Sequence, residues 1–428
     1  MRYIGFHERW IVFFRKYLEA PLNMDQSSEG RQPTGPRTRK CGVPMAHASE
    51  KLIGELILFF MDLAVNRETG LLLYRLHDDL WLCGEPSKCA QAWEVMGEFA
   101  KVTGLTFNTN KTGSVYLAES TDPVIAGKFP KGPVTFGILE LDANSGEWVI
   151  DQKQVDAHAR QLKKQLDGCD SVISWIRTWN SCIGRFFQNT FGQPAFCFGQ
   201  PHVDSILATY KRLQEGLFEG STVTQHLRGM IHARFGVPDV PDAFFYYPEE
   251  LGGLGLRNPF ISPFLVRDSL EDTPLRAIEW FQKIELSTYQ TLKKEFEAQT
   301  QVRQQDRLRK KLTPPVSEEE LDTFMSFEEY TRFRWQINQQ FRGMYSKLLD
   351  VPEPQNIETT NDVRNALKEI LTPGDFERLD PEKMWILQMY GDEVTEKYGG
   401  LNLVDKRYLP VGVMAMVKEQ KVRWQMVL

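Results

Sequence analysis

The sequence has few cysteines, no long apolar run and no excess of positive charge. Its six cysteines (Cys41, Cys83, Cys89, Cys169, Cys182 and Cys197) form no CxxC and follow no pairing rhythm. That argues against a zinc ribbon and a disulfide framework, and makes a reducing compartment, cytosol or nucleus, the expectation. The most apolar stretch, Leu52 to Val65, carries Glu55 and Asp62. It is too short and too charged to span a bilayer, so no membrane is expected. Met1 to Leu22 scatters Arg2, His7, Glu8, Arg9, Arg15 and Lys16 and has no apolar h-region, the pattern of a protein that is not secreted. Net charge is −6, so a nucleic-acid surface, if there is one, must be local. What is present is core material: 42% of residues are hydrophobic and 12% aromatic, enough for real cores in a chain of 428 residues. That length predicts about two or three domains.

The chain is organised around Leu71-Leu-Leu-Tyr-Arg-Leu-His-Asp-Asp-Leu-Trp-Leu-Cys83. Two apolar runs around a polar tip predict a β-hairpin, ended by Gly84. The tip carries the adjacent carboxylates of Asp78 and Asp79, which repel one another. A hard cation shared with a phosphate would relieve that repulsion, and Mg²⁺ suits the role. Two such ions can clamp the attacking and leaving oxygens of an in-line displacement. Aspartate is also an ordinary turn residue, and these residues alone do not separate a metal-binding tip from a solvated turn.

Apolar spacing predicts a helix over 3–20, closed by Ala20-Pro21. A polar loop over 23–40 ends in Arg37-Thr-Arg-Lys40, and Cys41-Gly-Val-Pro44 fixes a bend before a helix over 45–66. After the hairpin, Pro86 opens a helix that Gly104 closes. Leu105–Phe107 and Ser114–Leu117 read as short strands, with Lys111 in the loop between them. Val134–Leu141 and Trp148–Ile150 read as a further hairpin, turning at Asn144-Ser-Gly146. Asp151 is the expected N-cap of a helix with Val155, Leu162 and Leu166 on its buried face and Arg160, Lys163 and Lys164 elsewhere. Helices over 170–190 and 202–216 follow. The Gly-, Pro- and aromatic-rich segment 236–263 reads as an ordered docking loop. Gly252-Gly-Leu-Gly255 lacks the Lys-Ser/Thr and strand–helix context of a nucleotide P-loop. A charged helix over 275–311, a capping box at Ser317–Glu320 opening a helix to about 349, and helices over 361–371 and 381–398 complete the pattern.

The order of these motifs resembles the palm of a reverse transcriptase. Gly42 to Phe60 resembles motif B, Leu76-His-Asp-Asp79 motif C, Gly104 to Thr112 motif D, and Val134 to Leu141 the primer-grip hairpin of motif E. The opening helix resembles the piece between motifs A and B, and 151–230 the thumb. The Leu-x-Asp-Asp form resembles telomerase, and the whole is similar to the reverse-transcriptase-related cellular proteins of fungi. The likeness covers residues 1–230 and runs weakly to 270. It implies an α+β chain: a partial polymerase palm of antiparallel hairpins and packed helices over 1–150, a helical thumb-like domain over 151–235, and a mostly α C-terminal region over 236–428.

The resemblance also implies roles. Asp78 and Asp79 would bind Mg²⁺ or Mn²⁺, and Lys111 would meet the triphosphate. Gly42, Pro44, Arg39 and Lys40 would lie along nucleotide and template, and Phe136 and Gly137 would hold the primer end. Arg160, Lys163 and Lys164 would track the nucleic-acid backbone. The implied partners are an RNA or DNA primer-template and nucleoside triphosphates. The departure is motif A, which supplies a third carboxylate and which, like the fingers, is not in this sequence. Asp62 projects from the motif B-like helix and is no obvious substitute. The expectation is therefore a truncated or degenerate half-palm whose isolated chain does not catalyse nucleotidyl transfer. The alternatives are a catalytically dead RNA- or protein-binding remnant and a metal-dependent phosphodiesterase. The latter would call for further ligands near the pair, where only His77 is close.

Overall fold

The computed structural model describes residues 1–22, 35–40, 42–43, 48–76, 78–117, 120–298, 324–332, 334–370, 380–404 and 406–408. The capping box at 317–320 and the end of the charged helix past 298 lie outside them. The chain is α+β and divides into two units: Met1–Thr135 with Leu141–Glu147, and Phe136–Glu140 with Trp148–Leu428. Among the described residues no helix is long and apolar enough to cross a membrane.

The first unit opens with α1 (Glu8–Glu19), whose N-cap His7 accepts a hydrogen bond from the Arg9 N–H. Trp10, Phe13 and Phe14 cluster on it, with Phe14 buried. Two further helices, α2 (Ala48–Thr69) and α3 (Pro86–Thr103), pack against the hairpin formed by β1 (Leu73–Leu76) and β2 (Asp79–Leu82). Met61, Val65, Ala92 and Met96 form the centre of this core, with Leu71, Leu73, Leu80 and Leu82 of the hairpin against it. A two-stranded hairpin is marginal alone, so this helical backing is what holds it. Pro86 starts α3 and Gly104 caps it, as the sequence predicts, and a short α4 (Pro123–Ala126), capped by Asp122, follows.

Two expectations for this region fail. Leu105–Phe107 and Ser114–Leu117 are not strands. The Leu105 N–H bonds the Ala100 carbonyl at 2.9 Å as part of the helix cap. Ser114 makes a lone backbone bond to Gly132, at 3.1 Å, rather than a ladder. The Val134–Leu141 run is likewise not one strand. It splits into β3 (Thr135–Phe136) and β4 (Leu139–Leu141), which join β5 (Trp148–Ile150) in a sheet of order β3-β4-β5. Gly137 sits between them at φ +59°, a backbone conformation that a side chain disfavours.

In the second unit Asp151 caps α5 (Gln152–Asp167), accepting from the N–H groups of Lys153 and Gln154. Val155, Leu162 and Leu166 are buried, the face that their spacing marks. They meet α6 (Val172–Ser181), a π-helical stretch (Cys182–Phe187), α8 (Gly199–Phe218) and α9 (Val223–Phe235) in one core, to which Phe187 and Phe191 on either side of the short α7 (Gln188–Thr190) also belong. Trp175 and Trp179 stack at its centre, 5.8 Å apart and 12° from parallel.

The segment after α9 is ordered by its own backbone. It contains α10 (Asp242–Tyr246), after which Leu254 and Leu256 donate to Phe244 and Phe245, and Gly255 donates to Tyr247. Gly253 packs directly on the Tyr247 carbonyl, where a Cβ would overlap it. The glycines of this segment therefore serve close backbone approach, not a phosphate cradle. Trp179 Nε1 donates to the Arg257 carbonyl at 3.1 Å. The Asn180 amide donates to Gly255 O and accepts from Arg257 N–H, both at 2.8 Å.

Beyond it, α11 (Ile261–Arg267) and α12 (Leu275–Ala298) are followed by α13 (Phe327–Arg332), α14 (Arg334–Ile337) and α15 (Gln339–Leu349), where the sequence pattern suggests one helix. Buried Glu285 of α12 takes both Arg334 guanidinium bonds, at 2.7 and 2.8 Å, which ties this group together. The last α-helices among the described residues are α16 (Asn361–Ile370) and α17 (Pro381–Tyr398), whose Val363, Leu367, Ile386 and Leu387 form a second core with Tyr247 and Leu251.

Burial raises the pKa of Glu382, in the first turn of α17, although Arg257 and the Asn258 N–H both favour its charged form. A raised folded-state pKa means the fold prefers the protonated acid. Its contribution is complete below the ordinary carboxyl value and is lost as pH rises through the raised one. Glu382→Gln is therefore expected to raise the urea midpoint at pH 7 and leave it unchanged below about pH 4. Equal shifts at both pH values would contradict this.

Candidate metal and nucleic-acid site on the first hairpin

The hairpin tip is built by register. Leu73 pairs with Leu82, Tyr74 with Trp81, Arg75 with Leu80, and Leu76 with Asp79. That leaves a two-residue loop at positions 77 and 78. His77 lies outside the described residues. Side chains alternate along a strand, so Leu73, Leu80 and Leu82 face α2 and α3 while Tyr74 and Leu76 are exposed on the other face. Asp79, paired with Leu76, belongs to this open face. Asp78 sits in the turn. Both aspartates are exposed, and among the described residues neither carboxylate takes a hydrogen bond or an ion pair.

Arg75 points inward, and the sequence reading missed its role. Its Nε contacts both Asp62 carboxylate oxygens at 2.9 Å, and one terminal nitrogen reaches Glu55 at 3.0 Å. The two acids raise the Arg75 pKa, the Asp62 hydrogen bond most of all. Glu55 and Asp62 are seven residues apart, two helical turns, and so share a face of α2. That spacing, with an arginine on the core side of the next strand, was the signal available in the sequence. The consequence is that Asp62 is committed to Arg75.

Lys111 is exposed in a turn organised by Asn108. The Lys111 N–H and the Thr112 hydroxyl donate to the Asn108 carbonyl, and its side chain accepts from Asn110 N–H. Among the described residues no hydrogen bond or ion pair joins Lys111 to Asp78 or Asp79. Gly42 takes φ +77° in a bend, and Pro44 lies outside the described residues. Lys40 is exposed. Arg39 is half-buried and occupied: Nε donates to Leu18 O at 3.1 Å, and a terminal nitrogen donates to Tyr17 O and Leu18 O at 2.9 and 3.0 Å. It thus satisfies carbonyls that the end of α1 leaves open.

The remaining candidates belong to the second unit. Phe136 is exposed beside Gly137, whose Cα faces the Thr190 carbonyl closely enough that a Cβ would lie 3.1 Å from it. Arg160 and Lys164 are exposed on α5, while Lys163 lies 3.7 Å from Glu219 in an ion pair.

Two exposed carboxylates are the hard oxygen donors that Mg²⁺ or Mn²⁺ prefers, and they suit part of one coordination shell, completed by water or phosphate. Among the described residues no group of three or more His, Cys, Asp or Glu side chains could hold a metal ion. The donor set present therefore fits one weakly held ion, not the pair that a two-ion clamp requires. No family model, curated protein or solved structure matches this chain.

Proposed function

We propose that the chain is a reverse-transcriptase-like protein whose chemistry is metal-dependent nucleotidyl transfer to a nucleic-acid 3′-OH, and that this chain supplies only part of the centre. The observation that carries the reading is the helix-backed hairpin with free Asp78 and Asp79 at its tip, between segments that resemble motifs B, D and E in order. In this reading a divalent ion, when bound, offsets phosphate charge. Asp78 and Asp79 hold it, and Lys111 stabilises or protonates the departing pyrophosphate. Lys40 and Gly42 border the nucleotide and template, and Phe136 and Gly137 hold the primer end. Arg160 and Lys164 contact the backbone of an RNA or DNA duplex. Transfer needs a third carboxylate beside the pair, so the chain alone binds nucleotide without turning it over.

The test is fluorescent nucleoside triphosphate binding with and without Mn²⁺, paired with extension of a labelled primer-template. The expected result is Mn²⁺-dependent tightening of at least several-fold that Asp78→Asn with Asp79→Asn abolishes, and primer extension no greater than that variant's. Nucleotide binding indifferent to Mn²⁺ in both proteins would reject the reading. A second reading, a catalytically dead RNA- or protein-binding remnant, is favoured by the commitment of Asp62 to Arg75. It predicts primer-template binding that neither Mn²⁺ nor the double variant changes.

A further inference from the structure

The second unit holds a groove of about 660 Å³ that the proposed chemistry does not use. Its walls are the start of α6, the end of α9, the segment 237–244 and the end of α17. Ile173, Phe235, Val237, Phe244, Val394 and Tyr398 make it apolar. The apolar surface continues past the groove onto its rim. Phe235 is 66% exposed, Ile173 and Tyr398 49% each, and Val237 42%. A small molecule filling the groove would leave that rim wet, whereas a helix laid along it would cover both.

Charge at the rim selects the kind of helix. Arg234 and Lys397 sit in the last turns of α9 and α17, where cations offset the partial negative charge of a helix C-terminus. Arg234 also donates to the Asp170 carbonyl, and the Lys397 ammonium lies 5.7 Å from the centre of the Tyr398 ring. Ser171 caps the start of α6, accepting from Ser174 N–H. Asp239 and Glu393 are exposed at the same rim, and among the described residues neither makes an ion pair. None of these four charges is in an ion pair among the described residues, and of the four only the two carboxylates have neither a hydrogen bond nor a ring contact, so they are the charges open to a partner.

We propose that this groove is the docking site for an amphipathic helix of a partner protein, with apolar side chains entering the groove and lysine or arginine beside them meeting Asp239 and Glu393. The test uses the full chain and two fluorescein-labelled amphipathic peptides of one pattern, one of leucine and lysine and one of leucine and glutamate. Anisotropy is expected to show saturable one-to-one binding of the lysine peptide, and at least tenfold weaker binding of the glutamate peptide. Asp239→Lys with Glu393→Lys should reverse the preference. Ile173→Ser with Val237→Ser, both at exposed positions, should weaken the lysine peptide at least tenfold without altering the circular dichroism or the melting temperature.

The chain's overall negative charge would also attract a cationic peptide, so an unchanged preference after charge reversal would overturn the proposal. Three other results would overturn it by naming a different occupant. One is binding of the neutral dye N-phenyl-1-naphthylamine in the groove with no peptide binding. Another is concentration-dependent dimerisation that the serine variant abolishes. The last is a tenfold gain in peptide affinity when residues 409–428 are removed.

Discussion

Replacing Trp179 by alanine lowers the stability of the second unit by about 3–5 kcal/mol, the range for removing a large aromatic from a core. The side chain is fully buried, stacks on Trp175 and lies 5.8 Å from the Phe218 ring, so little of the void can refill without unstacking its neighbours. The loss has a second part. Trp179 Nε1 is the donor to the Arg257 carbonyl, and its removal strands that acceptor where the segment 252–257 meets α6. Trp179→Phe separates the two parts only in part: it keeps an aromatic ring in the stack, loses the hydrogen bond and leaves a smaller void, at a cost of about 1–3 kcal/mol. Urea unfolding followed by circular dichroism checks both, and avoids the change in fluorescence that removing the indole causes. An alanine variant no less stable than the phenylalanine variant would contradict the packing argument.

Arg75→Met destabilises the first unit by about 2–3 kcal/mol. Breaking a buried ion pair from one side costs roughly 3–5 kcal/mol, because the remaining charge is left without its partner. The figure is reduced here because Asp62 is only partly buried and Glu55 is half exposed. The variant leaves two like charges on one face of α2 beneath an apolar strand. Adding Asp62→Leu is expected to recover most of the loss, since a well-packed apolar pair replaces an ion pair at little cost. Urea midpoints of the first unit for the single and double variants make the comparison. The two units are followed separately, because one transition is not assured for a two-unit chain. Loss of stability in the double variant equal to the sum of the single losses would show that Arg75 and Asp62 do not act as a pair.

The sequence revealed those elements in which local pattern and tertiary burial agree. On α5 the Asp151 cap and the buried face of Val155, Leu162 and Leu166 follow from spacing alone, because a helix on a core repeats its apolar residues at three and four. The hairpin at 73–82 was legible for the same reason, with two apolar runs and a polar turn. Short runs misled. Leu105–Phe107 has strand composition, but its first N–H is consumed by the cap of α3, which leaves no ladder to join. Val134–Leu141 reads as continuous because its residues suit a strand, while Gly137 permits the backbone reversal that divides it. Of the candidate site, the aspartates and their exposure at a tip were visible in sequence. The employment of Arg39 on the carbonyls of α1 was not, because it depends on a chain approach between positions about twenty residues apart.

The same contrast bears on function. Asp78 and Asp79 have no side-chain partner among the described residues, whereas Asp62 of α2 is held by Arg75. Adjacent exposed carboxylates that stabilise nothing in the fold are free for a ligand. A committed carboxylate is not.

Mn²⁺ titration followed by electron paramagnetic resonance, on the full chain and on Asp78→Asn with Asp79→Asn, tests that claim most directly. Free manganese gives a signal that binding removes, so occupancy is read without any assumption about turnover. The account predicts one site in the wild-type chain that is absent from the variant, with Asp62→Asn leaving it in place. Identical titration curves for wild type and double variant would show that the hairpin tip is an ordinary acidic turn, and the metal-dependent reading would fall with it.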